Sequence, residues 1–141
     1  VKIFFDTTVL VAVFLEDHEH YERSFAVFST AERPSAYCAA HNLAEVYVTL
    51  TRYPGRDRLS AEQAVLSLEK IEERLTILAL DVPEYFAAIR RFASIGIVGG
   101  TLYDGLIAAC ALKAGADTLY TWNTAHFRRL GEEVAQKVRT P

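Results

Sequence analysis

Three carboxylates and one amide stand where chemistry would need them. Asp6 follows the apolar run VKIFF, Glu45 sits within AHNLAEVYVTLTRY, Asp104 heads YDGLIAACALKAG, and Asn123 follows ADTLYTW. Each has an ordinary structural use: Asp6, Asp104 and Asn123 as helix caps, Glu45 as a solvated helix charge. Acids drawn together, however, repel and raise one another's pKa unless a cation neutralises them. A hard divalent ion such as Mg2+ or Mn2+ suits that set, because it takes oxygen ligands, keeps several waters and binds through a few carboxylates plus substrate phosphate oxygens.

The elements that would position these groups can be read from the apolar pattern. Runs of strand length occur at 2–5, 36–38, 76–80 and 118–121, separated by longer helical patterns. Helices are expected over 7–15, 19–32, 40–53, from Ser60 onward, from near Pro83 to Gly96, and over 103–114. Ser60 with Gln63 forms a capping-box pattern, and Leu66, Ile71 and Leu75 count among the apolar positions of the helix that follows. Such alternation predicts an α/β domain with a largely parallel sheet, in which all strand C-termini share one edge. Asp6 and Asn123 then follow strands at that edge, and Asp104 opens a helix apolar nearly all round, as a central buried helix would be. On 40–53, Leu43, Val46, Tyr47 and Leu50 form an apolar stripe, while Asn42, Glu45, Thr49 and Arg52 share a polar seam.

Composition narrows the class. The 141 residues, half of them hydrophobic, fit one domain over 1–141. A net charge of −3 excludes a polycation that coats nucleic acid, so any polyanion must meet a local patch or a metal. Cys38 and Cys110 lie in apolar surroundings that favour reduced core thiols, which suits a cytoplasmic protein. No apolar stretch approaches the roughly 20 residues of a membrane span, and no membrane association is expected.

In four blocks, FFDTTVLV, NLAEVY, LYDGLIAACAL and LYTWNTAHF, the chain resembles the PIN-domain ribonucleases, and within them the VapC-type toxins of toxin–antitoxin pairs. The resemblance covers the whole chain. It implies a three-layer α/β/α PIN-like domain with a central, mainly parallel sheet of four or five strands, and a Mg2+- or Mn2+-dependent endoribonuclease that inhibits translation. Asp6, Glu45 and Asp104 match the family's acidic triad. The fourth position, usually Asp, is Asn123, which can coordinate through its carbonyl oxygen but adds no charge, so a second ion should bind more weakly. Thr7 and Thr121 match hydroxyl positions near the metal waters. The resemblance further implies products with a 5′-phosphate and a 3′-hydroxyl, homodimerisation, and inhibition by a small cognate antitoxin.

RNA would need a grip despite the acidic balance. Arg52, Arg56 and Arg58, the pair Arg90 and Arg91, and the pair Arg128 and Arg129 are candidate phosphate contacts. Arg52 leads because it shares the seam with Glu45, and Tyr53 beside it could stack on an unpaired base. His126 is expected to cap or pack against the last helix. The aromatic helix 19–32 and the helix 40–53 are expected to offer apolar surface to a partner. Two other Asp-at-strand-end classes fit poorly: a haloacid-dehalogenase-like phosphatase wants a second Asp where Thr8 stands, and a receiver domain wants a Lys near the final strand. The remaining alternative is a PIN fold that binds RNA or protein without cutting, its metal site weakened by Asn123.

Overall fold

A computed structural model describes residues 1–141. The chain runs β1 (Ile3–Phe5), α1 (Thr7–Val13), α2 (Tyr21–Ser29), β2 (Ala36–Ala39), α3 (Ala40–Arg52), α4 (Ala61–Arg74), β3 (Thr76–Leu78), α5 (Val82–Ser94), α6 (Thr101–Ala114), β4 (Thr118–Tyr120), α7 (Thr124–Arg128), α8 (Glu132–Ala135) and β5 (Val138–Arg139). A single turn of 3-10 helix, Gly55–Asp57, follows α3. The five strands form one sheet in the order β3-β2-β1-β4-β5, and every pairing is parallel.

Helices cover both faces of the sheet. Alternation along β1 sends Phe5 into one core with Val9, Leu10, Phe28, Val46, Leu50 and Ile71, contributed by α1 to α4. Phe4 enters the other core, with Phe92, Ile107, Leu119, Phe127 and Val138, contributed by α5 to α8 and the far strands. The result is the expected three-layer α/β/α arrangement. Burial of both faces explains why the strands read as short apolar runs without polar alternation.

From β1 the chain lays β2 and β3 on one side, then crosses to β4 and β5 on the other. The strand order therefore reverses beside β1, and the C-terminal ends of β1 and β4 border the crevice where open α/β sheets hold ligands.

The outline departs from the sequence reading at several points, chief among them the following. Strand β5 is only Val138–Arg139, too short for any periodic signal. Helix α2 is 21–29, because residues before Tyr21 form turns. Helix α6 begins at Thr101 with Gly100 as its cap, so Asp104 projects from the first turn and is not itself the cap. Leu66 of α4 is 60% exposed, while Ala64, Ser67 and Ile71 turn inward.

Candidate functional site

Asp6 caps α1 and faces the site at the same time. Its residue is 2% exposed, held between the end of β1 and the start of α1. Thr8 Oγ1 donates to Asp6 Oδ2 at 2.9 Å and Thr121 Oγ1 donates to the same oxygen at 2.7 Å, with the backbone N–H of Thr8 at 3.4 Å. Each hydroxyl is itself oriented from the β4–α7 connection: Trp122 N–H donates to Thr8 Oγ1 and Asn123 N–H to Thr121 Oγ1, both at 2.9 Å. With these bonds gathered on Oδ2, Oδ1 keeps lone pairs for a ligand.

Glu45 is fixed by a second relay. The Ala39 N–H donates to Asn42 Oδ1 at 2.7 Å, Asn42 Nδ2 donates to Thr7 Oγ1 at 2.9 Å, and Thr7 Oγ1 donates to Glu45 Oε1 at 2.6 Å. Because the Asn42 amide fills an acceptor site on Thr7, the single hydroxyl proton of Thr7 goes to Glu45. His41 Nε2 lies 3.4 Å from Glu45 Oε2, one helical turn away, and its ring stacks on Tyr103 with centroids 5.4 Å apart. Asn42, assigned by sequence to the polar seam, is fully buried.

Asp104 reaches the same cleft from α6, with His126 Nδ1 3.7 Å from its Oδ2. Asp6, Glu45, Asp104 and Asn123 all line one depression of about 460 Å3, along with Thr7, Thr8 and His41. Thr121 sits behind it, fully buried. Arg52 is exposed at the end of α3 and does not line the cleft, whereas Tyr53 lines an adjoining cavity with Thr7, Thr8 and Asn123.

Electrostatics disfavour a full set of bare charges here. Burial pushes the Asp6 carboxyl up to about 6, against the lowering effect of the Thr121 and Thr8 hydrogen bonds, and the Asp104 charge adds to the rise. Asp104 is raised by burial and then by Glu45, with His126 opposing. As they stand, no three acidic, imidazole or thiol groups are drawn together tightly enough to ligate one ion. The donor set nevertheless fits a hard divalent ion: all its members offer oxygen, and Mg2+ typically uses only one or two carboxylates and keeps several waters. A cation would also relieve the strain recorded in the raised Asp6 and Asp104.

Sequence reasoning missed Thr8, His41, Asn42 and Trp122. The spacing of His41 to Glu45, one helical turn, was a usable signal. Thr8 stands two residues after Asp6, whose Oδ2 it holds, while the Trp122 N–H that orients it lies 114 residues away.

The class of molecule follows from the matches to known proteins. The PIN domain family matches residues 3–133, and the chain belongs to that family. Among curated proteins it is similar to Ribonuclease VapC40 of Mycobacterium tuberculosis, 32% identical over 114 residues covering 81% of each chain. Its fold is similar to the crystal structure of M. tuberculosis VapC20, described as a Sarcin-Ricin loop cleaving toxin, with TM-score 0.72 at 16% identity over 89% of this chain and 92% of that one. It is also similar to VapBC2 from Rickettsia felis, solved bound to a DNA fragment from their promoter, with TM-score 0.66 at 19% identity over 99% and 98%.

Proposed function

We propose that this chain, as a single PIN-like domain over 1–141, is a metal-dependent endoribonuclease that hydrolyses RNA phosphodiester bonds and acts in the cytoplasm as the toxin of a toxin–antitoxin pair. The observation that carries this reading is the convergence of Asp6, Glu45, Asp104 and Asn123 on one cleft at the strand-order reversal. Kinship with proteins named Ribonuclease VapC supports it.

Asp6 and Asp104, with Glu45 and Asn123, would hold Mg2+ or Mn2+. When bound, such an ion offsets the charge that develops on a scissile phosphate and makes water a competent nucleophile at neutral pH. The chain's own residues do the positioning. Thr8 and Thr121 hold one oxygen of Asp6 and leave the other for ligation, and the Asn42–Thr7 relay orients Glu45. Asn123 contributes an uncharged oxygen, which weakens any second ion site. Tyr53, in the lining of the adjoining cavity, and the exposed Arg52 at the end of α3 would serve as RNA contacts.

Two partners belong to the same reading. A small cognate antitoxin, as in the VapBC assemblies of similar fold, would inhibit the enzyme and relieve a block on translation. A second copy of the chain would complete a homodimer. The exposed large apolar residues favour α5 for this contact, through Val82, Tyr85, Phe86 and Ile89. Helices α2 and α3 offer less than the sequence suggested: Phe28 turns into the core, and only Phe25 and Val48 remain strongly exposed among their large apolar residues.

The test is cleavage of a total RNA pool by purified protein with Mg2+, Mn2+ or EDTA, with Asp6→Asn alongside, followed by sequencing of the new 5′ ends. Metal-dependent cuts absent from the variant are expected. Identical RNA patterns for the two proteins would leave the non-cleaving binding module as the reading.

A further inference from the structure

A second cavity, of about 410 Å3, adjoins the acidic cleft and shares Thr7, Thr8, Thr49 and Asn123 with it. One ligand can therefore span both. The cleft has one ring in its lining, His41, whereas this cavity has four: His18, His20, Tyr53 and Trp122. The imidazole of His20 lies flat on the Trp122 indole, with centroids 3.7 Å apart and planes within 6°. The indole itself is anchored. Its Nε1–H donates to the buried Ser24 Oγ at 2.9 Å, its backbone N–H to Thr8 Oγ1 at 2.9 Å, and the Arg23 guanidinium sits 5.9 Å from the ring.

We infer that this cavity is a base-binding subsite, which takes the unpaired nucleobase next to the phosphate held in the acidic cleft and stacks it on the His20–Trp122 ladder. No Lys or Arg lines the cavity, and its one charged acid is Glu19, paired with His20 at 3.4 Å. That lining suits the flat, uncharged part of a nucleotide and not its phosphate. A ring pair already stacked, with the indole anchored on Ser24, costs little to organise when a base arrives. His18 adds a polar edge: its Nδ1 accepts the His20 N–H at 3.0 Å, so a neutral ring carries its proton on Nε2, a donor for a base acceptor atom. The inference rests on the proposed RNA cleavage only for the phosphate's place in the cleft.

Trp122 is the only tryptophan of the chain, so its emission reports on this cavity alone. The experiment mixes the protein by stopped flow in Mg2+, reading quenching before cleavage accumulates, with the tetraribonucleotides AAAA, CCCC and UUUU and with an abasic ribose-phosphate tetramer. At least one base-bearing tetramer is expected to quench Trp122, and the abasic tetramer to bind about tenfold more weakly. His20→Ala and Tyr53→Ala should each weaken the base-bearing tetramer, while His20→Phe, which keeps a stacking face, should retain it. Equal affinity for intact and abasic tetramers, or indifference to His20→Ala and Tyr53→Ala, overturns the subsite. The two readings separate cleanly. Metal-dependent cutting with no base-dependent quench removes the subsite and leaves the nuclease. Base-dependent quenching without any cutting upholds the subsite and removes the nuclease.

Discussion

At the scale of single residues, the Asp6 carboxyl is lodged among hydroxyls at a place that disfavours its charge. Its pKa of about 6 lies above the ordinary 3.8, with burial the main cause. A group whose folded pKa is raised contributes stability that is fully present below the unfolded pKa and lost as pH climbs through the folded one. Metal-free protein should therefore lose stability between about pH 4 and pH 7, by up to about 3 kcal/mol from this group. Asp6→Asn keeps the shape and the Thr8 and Thr121 contacts but cannot ionise. Thermal unfolding in EDTA should show the variant gaining on the parent as pH rises across that window, and millimolar Mg2+ should restore the parent alone. A gap that is flat with pH would show that Asp6 is not the buried titrating group. The four cleft residues were legible in the sequence because each sits at a recognisable point: a strand end, a helix first turn, a polar seam. Asn42 and Trp122 were not, since the partners they position lie 35 and 114 residues distant.

At the scale of elements, α6 delivers Asp104, and Gly105 beside it sets how closely that helix lies on α5. A Cβ at Gly105 would meet Phe92 Cδ2 at 2.8 Å, and Phe92 is fully buried. Gly105→Ala gains helix propensity of about 1 kcal/mol, but overpacking a fixed aromatic costs roughly 1–3 kcal/mol. A net loss of about 1 kcal/mol is expected, read from urea unfolding. Cleavage should fall with it at temperatures where the variant is fully folded, because any shift of α6 moves Asp104. A more stable variant would mean that Phe92 yields easily. This helix also shows where element-level reading succeeds and stops. Its all-round apolar sequence announced a central position, and Gly115 at φ +68° ends it as a C-terminal cap should. Its start was misplaced by two residues because Gly100 caps through backbone geometry, without a side chain to mark it. The strand β5 escaped for a different reason: two residues paired with β4 carry no period.

On the whole molecule, charge and exposed apolar surface point to different contacts. No Lys or Arg lines the cleft or the cavity beside it, so few phosphates can be neutralised there and RNA affinity should depend only modestly on salt. Arg52, exposed at the end of α3, is expected to account for one phosphate contact. Arg52→Ala should weaken RNA binding across sequences and reduce the salt slope by about 0.7, the increment for one phosphate on a single strand. The apolar surface lies elsewhere. Val82, Tyr85, Phe86 and Ile89 follow the i, i+3, i+4, i+7 spacing of one helix face, and all four are at least 40% exposed. If the proposed homodimer uses this face, a twofold axis would set α5 of one copy against α5 of the other. Phe86→Glu would set two carboxylates in that contact, desolvated and of like sign, and should raise the dimer dissociation constant by about 100-fold, equivalent to roughly 3 kcal/mol. Sedimentation equilibrium of the free protein measures it. Leu66→Glu, on the equally exposed but separate face of α4, should leave the dimer unchanged; if Leu66→Glu dissociates it and Phe86→Glu does not, the twofold contact belongs to α4.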